Sequence, residues 1–435
     1  MYTVNIIKRK TEIMENTYDL KCGMAVVKIA GRCNINCTYC YMYNLGDMSY
    51  LQQPKKMSDE TVQQLMYRVK EHCLRHDIKH FFFSLHGGEP LLAGKDFLTL
   101  FVSAARSTLL PEIVPIFAMQ TNATLIDEEW CRLFAQYDIG IGISIDGVRQ
   151  VHDMYRVDFK GNGTYDRTVA GLQTALQSKD MERKPGALCV LNLDADPLET
   201  YAHFKSLGFK NLDILFPDYT YDTRPEKTLP ADGSITPYAD WLIKIFDQWF
   251  YEKEDRIRIR LFQFITGLIL GNDVSFDQLG LQKNELLVIE TDGSIEAVDV
   301  LKACGEGFTK AGANVHTHSF DEAMQSDLAR LFHFSHQRLC KKCTVCPVKD
   351  ICGGGYIPHR YSSRNGFNNP SVYCNDLLKL ITHIQNVVLD ELPAGFAEEM
   401  GIEKMNYSGA LQLIESGLVD ADEPEYAAEL EQFQR

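Results

Sequence analysis

Gly31-Arg32-Cys33-Asn34-Ile35-Asn36-Cys37-Thr38-Tyr39-Cys40 follows a short apolar run, Met24 to Ala30 (MAVVKIA), that reads as a buried strand. Its three cysteines have the spacing C-x3-C-x2-C. Three thiolates on so short a loop can bind three irons of one 4Fe–4S cube and leave the fourth iron without a protein ligand. Zinc competes for such thiols, but it prefers a closed set of four ligands. No fourth cysteine or histidine follows promptly, the nearest candidate downstream being His72. A zinc knuckle stays open as the alternative on spacing alone.

Outward from the loop, one pattern repeats. Glu60 to Lys70 has helical apolar spacing through Val62, Leu65, Met66 and Val69, and Phe81 to Leu85 reads as a strand running into His86-Gly87-Gly88-Glu89-Pro90. Helices near Phe97 to Leu109, Glu128 to Tyr137, Asp166 to Gln177 and Leu198 to Leu207 then alternate with further strands. Those strands are Val114 to Met119, Gly140 to Ile145, Ala187 to Leu191 and Leu212 to Phe216. Six strands alternating with helices imply a parallel sheet with right-handed crossovers. Six units are too few to close an eight-stranded barrel, so the expected fold is α/β, a partial, open (β/α)6 barrel over residues 22–217. Sites on such sheets lie at the C-terminal strand ends. The cysteine loop, the Gly-Gly-Glu-Pro turn, Thr121-Asn122 and Asp146-Gly147 all fall there.

Past residue 217 the character changes. Residues 218–285 read as a linker and helical bridge: Asp218 to Pro237 is rich in Pro, Asp and Thr, and Trp241 to Tyr251 is an amphipathic helix. Leu286 to Thr291 and Ser294 to Val298 flank Asp292-Gly293, a strong hairpin signal. Cys340, Cys343, Cys346, Cys352 and Cys374 follow, so residues 286–385 are expected to form a cysteine-rich domain. Residues 386–435 read as an acidic helical tail.

Bulk properties narrow the function classes. A formal charge of −15 argues against nucleic-acid and anionic-membrane partners, which require basic patches. Met1 to Lys21 lacks the apolar core of a secretory signal, and no apolar run is long enough to span a bilayer. A cytoplasmic location is the expectation, and in a reducing compartment 13 cysteines read as metal ligands rather than disulfides. Cys22, Cys73, Cys131 and Cys189 lie in apolar patterns and are expected in the core.

The polar candidates follow the strand ends. Glu89 is placed to accept hydrogen bonds from an ammonium, and Gly87 and Gly88 let backbone approach a ligand closely. Ser144, Asn122 and Arg156 lie on or just beyond later strands, and the Arg156 fork suits a carboxylate. Each has a surface or capping role as its alternative. Cys343, Cys346, Cys352 and the distant Cys374 offer four thiolates, acceptable to zinc or to a complete 4Fe–4S cluster. Cys304 and Cys340 are extra thiols. Asp299 is expected to end the second hairpin arm, as a general base or as an ordinary partner of Lys302.

The cysteine loop, His86-Gly87-Gly88-Glu89-Pro90, the hairpin and the late cysteines together resemble radical S-adenosylmethionine (SAM)/SPASM peptide maturases over residues 22–385. Ile289 to Glu296, Val298 to Lys302, Cys352 to Tyr356 and Asn369 to Cys374 look like the cyclophane-forming, Fxs-type branch. The resemblance implies a SAM-cleaving cluster on Cys33, Cys37 and Cys40. SAM contacts are implied at Tyr39, Gly87, Gly88, Glu89, Pro90, Asn122, Ser144 and Arg156. It also implies Asp299 as the base and one auxiliary 4Fe–4S cluster on Cys343, Cys346, Cys352 and Cys374. Val298 and Tyr356 stand where many members carry further cysteines, which argues against a second auxiliary cluster. The implied partners are a ribosomal precursor peptide and a small reducing protein or other electron donor. The implied reaction joins an aromatic ring to a nearby Cβ. Two other readings compete: formylglycine formation in a sulfatase, and a zinc-stabilised peptide-binding module without radical chemistry.

Overall fold

The computed structural model describes residues 20–230, 233–274, 276–393, 395 and 403–435. The amino-terminal stretch read for a secretory signal lies outside these residues except for its last two positions, and part of the carboxy-terminal tail lies outside them too.

The alternation in the sequence becomes a parallel sheet wrapped by helices. In chain order the barrel runs β1 (Met24–Ala30), α1 (Asp59–Arg75), β2 (His80–Gly87), α2 (Lys95–Leu109), β3 (Val114–Thr121), α3 (Glu128–Tyr137) and β4 (Ile139–Ser144). It continues with α4 (Arg149–Tyr155), α5 (Tyr165–Gln177), β5 (Gly186–Val190), α6 (Pro197–Ser206) and β6 (Asn211–Leu215). Local chemistry sets the helix starts. Ser58 accepts from the Thr61 amide, Asp127 from Trp130 and Asp196 from Glu199, each satisfying an amide that the first helical turn leaves unpaired. α3 stops at Asp138, which takes the left-handed conformation at φ 53°.

Side chains alternate across the sheet, as strand geometry requires. Ala25, Val27 and Ile29 on β1 and Phe81, Phe83 and Leu85 on β2 pack into the helical layer and are fully buried. The alternate positions, among them Lys28, Ser84, His86, Gln120 and Ser144, face the concave side. Phe82, at 47 % exposure, shows that this lumen is open to solvent.

The sheet is wider than the sequence implies. It has nine strands in the order β7-β6-β5-β4-β3-β2-β1-β8-β9. β7 (Arg258–Ile259) follows α7 (Pro237–Tyr251), adds parallel to β6 and leads into α8 (Arg260–Ile269). At the other edge β8 (Leu286–Ile289) lies parallel to β1, with Met24 opposite Leu286, and β9 (Ile295–Glu296) returns antiparallel to β8. The hairpin is thus present around Gly293, at φ 82°, but it extends the barrel sheet instead of belonging to a separate domain. Its second arm is also shorter than expected. Asp299 opens a 3-10 helix, Asp299–Cys304, and does not end a strand. Lys302 explains the early turn: its buried ammonium is held by Glu290 and Glu296, each at 3.0 Å, with Asp47 at 3.8 Å, which ties the helix back onto the hairpin.

A second small core, with Val298, Leu301, Phe332, Tyr361 and Phe367, organises the cysteine-rich region. At its centre Arg360 is wholly buried and donates to the carbonyls of Arg338 at 2.6 Å, Ser335 at 2.8 Å, and Phe367 and Asn369 at 3.3 Å. Replacing it with Met leaves those buried acceptors unpaired, and such groups cost about 1–3 kcal/mol each. Arg360→Met is therefore expected to lower the thermal midpoint by several degrees, read in a calorimetric scan. No described helix is long and apolar enough to cross a membrane.

Candidate active site

The cysteine loop is stitched to the end of β1, the turn after β2 and the end of α4. The Gly88 amide donates to the Ala30 carbonyl at 2.9 Å and the Glu89 amide to that of Arg32 at 3.0 Å, so the β2 turn lies directly against the loop. Both glycines are required by this contact. A Cβ on Gly87 would lie 2.1 Å from the Ala30 oxygen, and one on Gly88 would lie 2.2 Å from Tyr43 Oη and 2.3 Å from the Arg32 carbonyl carbon. On the other side, the Asn36 and Thr38 amides donate to the carbonyls of Val157 at 2.7 Å and Tyr155 at 2.9 Å. Gly88→Ala is expected to prevent iron incorporation, measured as iron per chain. Gly23→Ala, with open space around its Cβ, serves as the neutral control.

The three thiols converge at the mouth of the lumen, each partly exposed. Burial pushes Cys33 and Cys40 up to about 12, and Cys33 feels the charge of both Cys37 and Cys40. Metal binding to such thiols must displace protons. Asn122 Nδ2 lies 3.8 Å from Cys33 Sγ and Arg156 Nη1 lies 3.9 Å from Cys37 Sγ. A three-thiol loop backed by an asparagine and a guanidinium, open toward the lumen, fits a cluster with one free iron.

The neighbouring polar residues are more committed than the sequence suggested. Glu89 is fully buried. Its carboxylate accepts from the amides of Leu91 at 3.1 Å and Asn122 at 2.8 Å and from the Thr121 hydroxyl at 2.7 Å, while burial raises it to about 7. Glu89 therefore caps the 3-10 turn Pro90–Ala93 and ties β2 to β3. Arg156 is paired with Asp146, Nε to Oδ2 at 2.8 Å, and Asp146 also accepts from the Val190 amide at 3.0 Å and from Tyr39 Oη. Ser144 accepts from Gln120 Nε2 at 2.8 Å on the lumen face, where Gly142 leaves room for the Gln120 side chain.

Asp299 lies at the mouth of the same lumen but with different partners from those expected. It pairs with Lys28 and accepts from Tyr41 Oη at 2.8 Å, while Lys302 is engaged elsewhere. Lys28, fully buried on β1, also lies 3.1 Å from His86 Nδ1. The Lys28 ammonium and the neighbouring His86 hold Asp299 far below the usual carboxylate range despite its burial. Lys28 and Tyr41 were missed as site residues, and Asp146 was placed at a strand end without a role. For Lys28 the available signal was a charged residue inside an apolar strand.

At the carboxy-terminal side, Cys343, Cys346, Cys352 and Cys374 line one small cavity with Val348, Leu378 and Ile414. Four thiols around one apolar hollow fit a fully ligated cluster. Cys340 Sγ lies 3.6 Å from Cys343 Sγ, beside this set, and Cys304 is buried in the second core. Cys22, Cys73, Cys131 and Cys189 are buried in the main core. Outside the barrel lumen His72, which is buried, clusters with the half-buried His76 and Asp321. Arg75 also pairs with Asp321, and His72 Nε2 accepts from the Cys22 amide, so that group is an ion-pair network.

An open parallel barrel with three converging thiols at its mouth is the framework of a radical SAM enzyme. Residues 27–210 match the family model of the Radical SAM superfamily. The chain is a radical SAM enzyme, a class that uses a 4Fe–4S cluster and SAM. It is similar to the cysteine-type anaerobic sulfatase-maturating enzyme of Clostridium novyi, at 25 % identity over 363 residues, covering 81 % of this chain and 92 % of the relative. The serine-type anaerobic sulfatase-maturating enzyme of Bacteroides thetaiotaomicron is 25 % identical over 383 residues, covering 82 % and 88 %. The solved structure of native anSMEcpe with bound AdoMet and Cp18Cys peptide has the same fold, with TM-score 0.72 and 24 % identity, covering 84 % of this chain and 99 % of that one.

These relatives overturn the expected cyclophane-forming branch: chains aligned over about four-fifths of this one are sulfatase-maturating enzymes. The residues quoted for that branch turn out to serve packing. Glu290 and Glu296 hold Lys302. Gly353, Gly354 and Gly355 all take positive φ, and the Asn369 side chain donates to the Arg360 carbonyl. Such stretches describe how the cysteine-rich region folds and leave the bond made in the substrate open. The radical SAM match also sets aside the zinc-module reading.

Proposed function

We propose that the chain is an anaerobic sulfatase-maturating enzyme, which oxidises the Cβ of a cysteine or serine in a peptide segment to the aldehyde of formylglycine. The observation that carries this reading is near-complete alignment with such an enzyme, 92 % of its length, by a chain that also sets Asp299 at the lumen mouth. Cys33, Cys37 and Cys40 would hold the cluster that, with SAM, supplies a hydrogen-abstracting 5′-deoxyadenosyl radical. Cys343, Cys346, Cys352 and Cys374 would hold an auxiliary cluster that supplies an acceptor for one electron.

The chain's own residues do the rest. The lumen admits the peptide from its open side. Asn122 and Arg156 flank the thiols and fix the polarity around them. Gly87 and Gly88 let the β2 turn lie directly against the cysteine loop. Asp299 takes the proton of the substrate thiol or hydroxyl as the Cβ radical left by the first abstraction gives up one electron. The net change is removal of one hydrogen atom, one proton and one electron. A cysteine product is then hydrolysed to the aldehyde and hydrogen sulfide. Asp299, held ionised by Lys28, is ready to accept a proton at neutral pH.

Anaerobic incubation of reconstituted enzyme with SAM, a reductant and a sulfatase-derived peptide tests this. A hydrazide-reactive aldehyde at the cysteine or serine is expected, and 5′-deoxyadenosine formed with no aldehyde on either peptide contradicts it. Reconstituted protein should carry about eight irons, and a Cys343/Cys346/Cys352 triple alanine variant about four.

A further inference from the structure

A proton taken up by Asp299 has to leave again before the next turnover, and the barrel interior shows where. Three side chains from three separate elements form one line: Asp299 from the 3-10 helix after the hairpin, Lys28 from β1 and His86 from β2. Lys28 and His86 are register partners on neighbouring strands, so their side chains project side by side into the lumen. Lys28 has no solvent exposure. An ammonium without water must spend its protons on protein acceptors, and here these are Asp299 Oδ2 and, at 3.1 Å, His86 Nδ1. An ammonium only donates, so Nδ1 of His86 is the lone-pair nitrogen and its ring proton sits on Nε2. His86 itself is only part-buried. The line therefore runs from a carboxylate at the site, through a buried donor, to an imidazole that reaches the open side of the lumen.

We propose that Lys28 and His86 form the exit path for the proton that Asp299 takes from the substrate. Lys28 hands one proton to His86 Nδ1 and takes one from Asp299, so the carboxylate and the ammonium are restored and the imidazole becomes imidazolium. One proton moves and no electrons do. The imidazolium then releases a proton to solvent in the lumen. The direction follows from the surroundings. Lys28 on β1, His86 on β2 and Tyr41 beside the cysteine loop face Asp299, with Asp277 and Tyr356 contributing more distant fields. Lys28, His86 and the Tyr41 hydroxyl hold Asp299 well below the ordinary carboxylate range against its burial and the opposing charge of Asp277, whereas burial and Lys28 lower His86 only to about 4. A proton on Asp299 is therefore more stable on the imidazole. Lys28 and His86 act through Asp299 and are positioning residues. The inference rests on the formylglycine reading for its substrate.

The test compares wild type with His86→Gln, which keeps an acceptor for Lys28 but cannot carry a proton. The readout is the ratio of formylglycine to 5′-deoxyadenosine between pH 6 and 9, with and without added imidazole. His86→Gln is expected to cleave SAM while that ratio falls about tenfold or more, the low side of the roughly hundredfold or more that a proton-transfer group usually supplies. Added imidazole should restore part of the ratio. A His86→Gln ratio within about twofold of wild type at every pH overturns the relay. Nitrogen-15 NMR of histidine-labelled resting holoenzyme gives a second reading that needs no substrate. A neutral ring protonated on Nε2 at pH 7 is expected, and a proton resident on Nδ1 overturns the relay. If wild type makes no aldehyde, the substrate reading fails, and the relay stands or falls on the tautomer.

Discussion

Cys33→Ala, Cys37→Ala and Cys40→Ala each abolish 5′-deoxyadenosine formation. The three thiols converge on a loop that is pinned on both sides, by Gly88 and Glu89 to Ala30 and Arg32, and by Asn36 and Thr38 to Val157 and Tyr155. No other described thiol can substitute, because Cys22, Cys73, Cys131 and Cys189 are buried in the main core and the remaining cysteines belong to the carboxy-terminal region. Loss of one ligand from a three-ligand site leaves the cube too weakly held to cleave SAM. The fold should survive, since none of the three is fully buried. Circular dichroism close to wild type, with SAM cleavage at background, is the expected pair of results. Persistent cleavage in any of the three variants removes that cysteine from the site.

Asp299→Asn separates radical generation from product formation. The amide keeps the size of the side chain but cannot hold a proton from the substrate. SAM cleavage should continue, and aldehyde yield should fall by about a hundredfold, within the usual range for removing a general base. The substitution also leaves Lys28 buried without its counter-charge, and breaking one side of a buried pair costs about 3–5 kcal/mol. A lower thermal midpoint is therefore expected beside the catalytic defect. Lys28→Met/Asp299→Asn, which removes both charges, should recover much of the stability and none of the product. Full aldehyde yield from Asp299→Asn would take the base role from Asp299.

Local pattern carried most of the barrel. β1 and α3 coincide with the stretches whose periodicity marked them, because alternation and helical spacing report directly on which face is buried. β7, two residues long, and the short α4 left too little pattern to register. The placement of the hairpin was out of reach for another reason. Asp292-Gly293 announces a turn, but nothing local says that β8 will pair with β1, some 260 residues away in the chain. Asp299 shows the same limit. Spacing suggested Lys302 as its partner, three residues on, whereas the buried ammonium it meets is Lys28, from the far end of the sequence. The glycines of the β2 turn and the thiols of the loop were legible as chemistry. Glu89 was legible as a carboxylate at the site, but its capture by three local donors was not. The branch motifs misled because they encode packing of the cysteine-rich region, and packing is shared by enzymes that make different bonds.

The most direct test of the account places deuterium on the Cβ of the target cysteine in a sulfatase-derived peptide and follows it after anaerobic turnover. Transfer of one deuterium into 5′-deoxyadenosine, with an aldehyde at the same residue, is the predicted result. Unlabelled 5′-deoxyadenosine, or label transfer without an aldehyde, would contradict it.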